Sequence, residues 1–269
     1  MKPVEFRHDV LISHVAPDQW HALQDDLVAG RGAASRRPDG RIFVSIDAWH
    51  DAAFDELAAA MLAALPRPLH TVVDEADLEM TAAWQRAGFT IRRREWEYAV
   101  PTEAGSALPP AGVALPPAGV ALPPAGVALP PAGVAIKGFG TASVAPLRAL
   151  DREIRAEAGP GWQDMPAEVV ARPLDPSKYA VAADGAEYVG LLRVAMVTRL
   201  PRIGLIAVRA GHRRRGIGRA LLAHTLGALH HVGKSTASAE VTESNVAATA
   251  LFEGFGARRT GSNLELTRR

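Results

Sequence analysis

The chain contains no cysteine among its 269 residues. Without thiols it can form no disulfide bond, zinc–thiolate centre or cysteine nucleophile. Its apolar runs are all shorter than the ~20 residues of a membrane-spanning helix, and its first residues contain no apolar signal-peptide core. These absences predict a cytoplasmic protein without a membrane partner.

Net charge is also nearly absent, at +1, but the two halves of the chain differ in sign. Residues 1–100 contain 11 basic and 16 acidic residues, whereas residues 136–269 contain 19 and 12. A basic C-terminal half suits an anionic ligand. Because its basic residues cluster at one turn and at the chain end without interleaved aromatic residues, nucleic acid is not the expected partner.

The most informative stretch is the basic, glycine-bearing turn Arg213-Arg214-Arg215-Gly216-Ile217-Gly218. It follows an apolar run typical of a buried strand and precedes a helical pattern. Glycine lets the backbone approach an anion closely, and the free N–H groups of a helix N-terminus carry partial positive charge. The turn therefore suits a pyrophosphate, although neither G-x-G-x-x-G nor the P-loop signature is present.

Hydrophobic periodicity predicts two α/β domains. In the first half, predicted strands at 10–15, 41–46, 69–73 and 90–100 alternate with predicted helices at 17–29, 51–65 and 77–87. In the second half, we expect a helix at 145–158, a long loop at 159–178 and strands at 179–183, 187–198 and 203–209. The helix of the basic turn, a strand at 235–243, a helix at 245–254 and a strand at 258–267 follow.

Four perfect copies of Ala-Leu-Pro-Pro-Ala-Gly-Val occupy residues 107–134. Two prolines and a glycine in every repeat forbid helix and central strand. We interpret the stretch as a flexible interdomain linker, with a proline-rich docking ligand as the alternative. The predicted domains are then residues 1–104 and 136–269, joined by a linker at 105–135.

The two domains also resemble each other in sequence. A gapless shift of 168 residues aligns Val73 with Val241 and Gly88 with Gly256. The same shift lays the basic turn on residues 45–50, which contain neither glycine nor arginine. We therefore interpret the first domain as a degenerate copy with a structural or substrate-shaping role.

Two motifs carry a resemblance to a known family. Arg213-x-x-Gly216-x-Gly218 is similar to the coenzyme A signature of the GNAT N-acetyltransferases, and residues 240–256 read E-V-T-E-S-N-V-A-A-T-A-L-F-E-G-F-G. The latter resembles the GNAT ending E-V-x-x-S-N-x-x-A-x-x-L-Y-E-x-x-G, especially in the ribosomal-protein alanine N-acetyltransferase branch. The resemblance implies two tandem GNAT-like domains, each a mixed, mostly antiparallel twisted sheet flanked by helices.

The resemblance further implies an enzyme that transfers an acetyl group from acetyl-CoA to a primary amine. The expected acceptor is a small molecule, with a protein N-terminus as the alternative, and the protein is expected to be a monomer or homodimer. A backbone N–H near Ala207 or Val208 would stabilise the oxyanion. The implied cofactor-binding residues are Ile206, Ala207, Val208, Arg213, Arg214, Arg215, Gly216, Ile217, Gly218, Arg219, Asn245 and Phe252.

Glu240 occupies the position of the catalytic base in that branch, and it would take a proton from the acceptor amine. The alternative is a solvated glutamate or one paired with an arginine. Phe252 stands where the family usually has an acidic tyrosine. Water or another hydroxyl (Ser244, Thr249) then serves as the acid, the thiolate leaves unassisted, or the domain is a catalytically weak acetyl-CoA-binding or interaction module.

The acceptor pocket is expected to involve the 159–178 loop. Trp162 is predicted to wall or stack on the substrate, or else to anchor the loop, and Asp164 is predicted to hold an ammonium group. The histidines of the helix that follows the basic turn have no second set of ligands nearby, so no metal is expected.

Overall fold

The computed structural model describes residues 10–105, 130–165, 167–170, 174–196 and 200–269. The chain divides into two compact units. Unit 1 consists of Met1–Glu95 and Gly261–Arg269, and unit 2 consists of Trp96–Thr260. Most of the predicted 107–134 repeat lies outside the described residues, so its role as a linker stays a prediction.

Unit 1 is a sheet with two helices, and all of its predicted elements except one are confirmed. Its elements are β1 (Leu11–Ala16), β2 (Gln19–Gln24), β3 (Leu27–Arg36), β4 (Ile42–Ala48), α1 (Asp51–Ala64), β5 (Leu69–Asp74), α2 (Leu78–Arg86) and the beginning of β6 (Thr90–Pro101). Helix α1 buries Phe54, Leu57 and Met61 in a core with strand residues such as Val44 and Leu69. This burial follows from the helical spacing of its apolar residues.

The helix predicted at 17–29 is wrong, because these residues form β2 and the start of β3. Asp25 and Asp26 link the two strands and both have positive φ, 51° and 63°. Two such residues make the tight turn whose twist suits a β-hairpin. Within β2, Trp20 and Ala22 are buried and alternate with less buried neighbours, which is the period of a strand.

Unit 2 contains the remaining elements. They are the rest of β6, β7 (Val134–Lys137), α3 (Val144–Ala158), α4 (Ala167–Val170), β8 (Tyr179–Asp184), β9 (Glu187–Ala195), β10 (Arg202–Val208), α5 (Ile217–His231), β11 (Thr236–Thr242), α6 (Val246–Glu253) and the start of β12 (Arg258–Arg268). The predicted 159–178 loop is partly helical, with 3-10 turns at Gly159–Asp164 and Pro176–Lys178 in addition to α4. The other predicted elements of this half are confirmed to within a few residues.

Helices cover both faces of the sheet of unit 2. Tyr179 and Val181 of β8 pack in one cluster with α3, whereas Ala180 and Ala182 pack in another with α5. Successive side chains of a strand point to opposite faces, so β8 is apolar throughout because both of its faces are buried. No helix in the described ranges is long and apolar enough to span a bilayer.

The last strand of each sequence half completes the sheet of the other unit. In unit 1, residues 263–268 of β12 pair antiparallel with residues 69–74 of β5. In unit 2, β6 lies next to β11. The two units are therefore divided within β6 and β12, and not at the predicted boundaries 104 and 136. Strands β6 and β12 have similar patterns, so each can form the backbone hydrogen bonds of either sheet.

Candidate functional site

A cleft opens in unit 2 where β10 and β11 diverge. These parallel strands pair only at Arg202 with Ser238 and Ile203 with Ala239. On its other side β10 stays paired with β9 as far as Val208, with a shift of register between Ile203 and Leu205. A bulge of this kind bends a strand and re-aims it. The divergence leaves a cleft of about 520 Å³.

The cleft is lined by groups from six parts of unit 2. Its lining residues are Ile154, Ala158, Trp162, Met165, Ile203, Gly204, Leu205, Ile206, Ala207, Val208, Arg213, Gly218, Glu240, Val241, Asn245, Ala247, Ala248, Leu251 and Phe252. Nine of the predicted site residues are thus brought together: Ile206, Ala207, Val208, Arg213, Gly218, Glu240, Asn245, Phe252 and Trp162. Arg214, Arg215, Gly216, Ile217, Arg219 and Asp164 do not line it.

Strand β10 presents backbone donors to the side of the cleft. The N–H of Arg209 donates to the carbonyl of Val189 on β9 at 2.9 Å. Because donors alternate along a strand, the N–H of Ala207 also faces β9, whereas those of Ile206 and Val208 face away from it. Of the two predicted oxyanion donors, Val208 therefore has the suitable direction.

The turn from β10 into α5 leaves the N-terminus of the helix open. Gly216 is the N-cap residue of α5, has a φ of 86°, and offers no side chain to cap the helix. Arg214 also lies in the left-handed region, with a φ of 63°. Uncapped N–H groups at a helix N-terminus attract anions, and the pyrophosphate site at this turn stays a prediction.

The side chains of this turn have distinct surroundings. Arg214 and Arg215 are exposed, whereas Ile217 is buried in the core. A Cβ on Gly190 of β9 would come within 3.2 Å of the Ile217 side chain, so α5 packs closely on β9. Arg219 lies over the ring of Phe255, 4.8 Å from its centroid. For Ile217, only the backbone is left to contact a ligand.

Arg213 is held by helix α3, which the sequence did not indicate. Its Nη2 donates to Glu157 at 2.7 Å, and its Nε donates to the carbonyl of Val208 at 3.0 Å. Glu157 also accepts from the N–H of Ala210 at 2.9 Å. One turn earlier on α3, Glu153 pairs with Arg209 at 2.8 Å. The two carboxylates are four residues apart, a spacing visible in the sequence, but their partners are set by the fold.

Glu240 projects from β11 into the cleft and is paired with an arginine. Its Oε1 accepts a hydrogen bond from Nη1 of Arg202 at 3.0 Å, and a third of its side chain is exposed. The pairing corresponds to one of the two alternatives for this residue. It leaves the second carboxylate oxygen available to solvent or substrate.

Phe252 lines the cleft from α6 and is buried against a tyrosine. Its ring stacks on that of Tyr98, with the centroids 6.2 Å apart. The Tyr98 hydroxyl donates to Glu253 at 3.2 Å and accepts from Nε of Arg259 at 2.9 Å. Because those partners occupy the hydroxyl, Tyr98 does not replace the missing tyrosine of position 252.

Asn245 caps helix α6, with its side chain accepting from the N–H of Ala248 at 3.1 Å. Trp162 is buried, and the Arg155 guanidinium lies 4.3 Å from its ring centroid. It thus both anchors the 3-10 turn and forms part of the cleft wall. Asp164 ends the same 3-10 turn outside the lining. Within the described ranges, no three His, Asp or Glu side chains form a metal-binding group.

Comparison with known proteins identifies the fold of the chain and a family match within unit 2. Residues 147–257 match the model of the acetyltransferase (GNAT) family. A GCN5-related N-acetyltransferase from Sphaerobacter thermophilus is similar in structure, with a TM-score of 0.63 and 14% identity over 93% of this chain and 80% of the other. A GCN5-related N-acetyltransferase from Kribbella flavida gives 0.57 and 17%, over 97% and 89%. No curated protein matches the chain.

A third similar structure is a tandem GNAT protein from the clavulanic acid biosynthesis pathway. It gives a TM-score of 0.61 at 16% identity, over 93% of this chain and 82% of that protein. At such identities the likeness concerns the fold, and the matched family model supplies the assignment of unit 2. Residues 147–257 therefore match the GNAT acetyltransferase family, and the fold of the chain as a whole is similar to that of GNAT proteins, one of them a tandem GNAT protein.

Proposed function

We propose that unit 2 transfers an acetyl group from acetyl-CoA to a primary amine, with the acceptor a small molecule. The observation that carries the proposal is the divergence of β10 from β11 beside the uncapped N-terminus of α5. A diverged parallel pair offers free backbone donors, and an uncapped helix offers a place for phosphates. A protein N-terminus remains the alternative acceptor.

The chain's own residues fit acetyl-CoA. The N–H groups at the start of α5 would hold the pyrophosphate, with the exposed Arg214 and Arg215 adding positive charge. The N–H groups of Ile206 and Val208 would pair with the pantetheine arm and with the thioester carbonyl. Acetyl-CoA supplies an activated acyl group, and the cleft supplies its orientation and a donor for the developing negative charge.

Glu240 is the proposed general base. A protonated amine has no lone pair, so a carboxylate or a carboxylate-bound water must remove a proton before attack. Arg202 donates to one oxygen of Glu240 and so fixes the position of the carboxylate beside the cleft. The ion pair with Arg202 is therefore compatible with the proposed role of Glu240 as the base.

The leaving thiolate is proposed to depart without a protein acid. Phe252 has no proton to give, and the hydroxyl of Tyr98 is engaged behind it. Neither Ser244 nor Thr249 is among the residues that line the cleft. The pKa of a thiol is ~8.5, so a thiolate is a far better leaving group than an amine anion.

Unit 1 is proposed to be a degenerate copy that binds no acetyl-CoA. Between β4 and α1 it has only Trp49 and His50, and the His50 side chain already caps α1. One acetyl-CoA site per chain is therefore expected. The second candidate function, a catalytically weak acetyl-CoA-binding module, is favoured by Phe252 alone.

The test compares Glu240→Gln with Glu243→Gln in the full chain. Glu243 is exposed and does not line the cleft, so it is a matched control on the same segment. With a panel of amines, Glu240→Gln should lower kcat about 100-fold, as expected for a lost general base, while calorimetry gives an unchanged Kd for acetyl-CoA. Glu243→Gln should change neither value.

Equal activity of the two variants would refute the role of Glu240. One bound acetyl-CoA per chain without turnover of any amine would favour the weak binding module. If acetyl-CoA does not bind at all, the acetyltransferase proposal fails.

A further inference from the structure

The cleft has two sides, one on each face of the sheet of unit 2. Ala237, Ala239 and Val241 of β11 pack in the core cluster of α5. Because side chains alternate along a strand, Glu240 lies on the opposite face, which α3 covers. Leu205 of β10 packs in the cluster of α3, so it lies on that face too. The proposed base therefore belongs to the α3 side of the cleft.

The α5 side of the cleft suits the cofactor. It is formed by Gly218, Val241, Ala248, Leu251 and Phe252. An acetyl-CoA whose pyrophosphate lies at the uncapped N-terminus of α5 enters the cleft from this side. The acceptor has to reach the thioester from the side that the cofactor leaves open, with its amine next to the base. It is therefore expected on the α3 side.

Four apolar side chains from α3 and the 3-10 turn after it line the α3 side. Ile154 and Ala158 are four residues apart on α3 and so share one face of the helix. Trp162 and Met165 follow in the 3-10 turn, where the N–H of Met165 donates to the carbonyl of Trp162 at 3.1 Å. Ala158 is exposed and Met165 is half-buried, so this wall is open to a ligand.

The charged groups behind this wall are engaged with one another. The Arg155 guanidinium lies 4.3 Å from the ring centroid of Trp162. Its Nε donates to Asp151 at 2.6 Å, and its Nη2 donates to the carbonyl of Val169 at 3.2 Å. Neither Arg155 nor Asp151 lines the cleft. Their charges are therefore spent on holding the 3-10 turn against α3.

Only two charged residues are among the described residues that line the cleft, Arg213 and Glu240. Arg213 lies in the turn before α5 and pairs with Glu157 at 2.7 Å. Asp164, the predicted ammonium ligand, is not part of the lining. An acceptor on the α3 side thus meets one carboxylate, which would take the proton of its amine, and an otherwise apolar wall.

We infer that the acceptor is a primary amine on an apolar body that carries no second charge. The inference rests on the proposed function and names the class of its substrate. The body would cover Ile154, Trp162 and Met165 and remove their apolar surface from water. A second charged group would lose its hydration against this wall without gaining a partner. The cleft therefore selects against diamines and amino acids.

The experiment measures kcat/KM with acetyl-CoA and the full chain for three acceptors of similar length. Hexylamine ends in a methyl group, 1,6-diaminohexane ends in a second ammonium, and 6-aminohexanoate ends in a carboxylate. Hexylamine should exceed each of the others at least about tenfold, because the second charge has to be desolvated. Butylamine should be about 15-fold poorer than hexylamine, since each buried methylene contributes about fourfold.

Met165→Gln keeps the length of the side chain and makes the wall polar. It should lower kcat/KM for hexylamine about tenfold through KM, and reduce the preference for hexylamine over 1,6-diaminohexane. The calorimetric Kd for acetyl-CoA should stay unchanged. Met165→Leu keeps the wall apolar and should lower kcat/KM less than about threefold. Met196→Gln is the matched control, because Met196 is exposed and does not line the cleft, and it should change neither value.

Two results would overturn the inference and leave the proposed function intact. They are a kcat/KM for either charged acceptor equal to that for hexylamine, and equal losses in Met165→Gln and Met196→Gln. Failure of the proposed function gives a different result, since acetyl-CoA then does not bind in the titration or no amine of the panel is acetylated. In that case the inference fails together with the proposed function.

Discussion

The two units use the same step, from a strand into a helix, in different ways. In unit 1, β4 ends at Ala48 and α1 begins at Asp51, and Nδ1 of His50 accepts from the N–H of Ala53 at 3.2 Å. In unit 2, residues 209–216 separate β10 from α5, and no side chain caps the helix. The N-terminus of α1 is therefore closed by a side chain, whereas the longer turn of unit 2 leaves the N-terminus of α5 open.

The comparison also corrects the gapless alignment. After α1 the shift of 168 residues holds: Asp77 and Asn245 are both N-cap residues whose side chains accept from the N–H three positions later. Before α1 it fails, because residues 45–48 belong to β4 and only Trp49 and His50 form the turn. The turn of unit 1 still contains neither glycine nor arginine.

Unit 1 contains a buried ionic cluster on its last strand. In unit 1, Glu265 is 2% exposed and accepts from Arg93 at 2.6 Å and Arg92 at 3.1 Å, with Nδ1 of His70 at 3.0 Å. The shift of 168 relates Glu265 to Glu97 of unit 2, which is only half-buried. Unit 1 thus uses a buried ionic cluster to hold its last strand in the sheet.

The largest expected effect is from Glu265→Gln. Removing one partner from a buried ionic cluster leaves the others uncompensated, which costs about 3 kcal/mol or more of unfolding free energy. Urea unfolding of the full chain measures the loss, and hydrogen exchange should localise it to β5 and β12. Glu97→Gln is the matched control and should cost less than about 1 kcal/mol. Equal losses would remove the distinction between the units.

Acid should act on the same residue. Burial alone would raise the pKa of Glu265, but the hydrogen bond with His70 and the charges of Arg93 and Arg92 outweigh it and lower the pKa to about 2. The folded pKa is depressed, so this stabilisation is complete above pH 4.5 and is lost as pH falls towards 2. Wild type should lose up to ~3 kcal/mol more than Glu265→Gln over that window. Parallel pH profiles would contradict this.

Gly216→Val tests the open turn. Gly216 and Gly40 both have a φ of 86° and no atom within 4 Å of an added Cβ, so valine is equally strained in the two units. At Gly216 that strain should move the N-terminus of α5 and weaken acetyl-CoA binding about 10- to 100-fold. Gly40→Val should leave the calorimetric Kd unchanged. A similar loss from both variants would mean that general destabilisation, and not the turn, is responsible.

The smallest effect is expected at the contact between α3 and the turn. Glu157→Gln keeps an acceptor for the N–H of Ala210 but no longer neutralises Arg213. Acetyl-CoA should bind about threefold more tightly at low salt, in line with the modest energy of exposed ion pairs. Glu153→Gln, which affects Arg209 instead, should leave the affinity unchanged. Weaker binding in Glu157→Gln would mean that the carboxylate holds the turn in place.

Much of the candidate site was predictable because its signals are local. The turn at 213–218 and the periodicity of α5 depend on residues that are close in sequence, and hydrogen bonds within one helix turn enforce them. The alternation of β2 was visible too, but Asp25-Asp26 is a weaker turn signal than the usual Asn-Gly or Asp-Gly. That weakness explains the wrong helix at 17–29.

By itself, the sequence determined the two motifs, most strands and helices, and the duplicated pattern, since each rests on neighbouring residues. Only the tertiary structure decided that β12 pairs with β5, that Glu157 holds Arg213, and that Met165 lines the cleft together with Glu240. Two similar strands offer the same backbone hydrogen bonds, so the sequence does not decide which of them pairs with β5. A carboxylate can likewise form an ion pair with any of several arginines. Contacts between residues far apart in sequence are chosen by the packing of the whole unit, which no local pattern encodes.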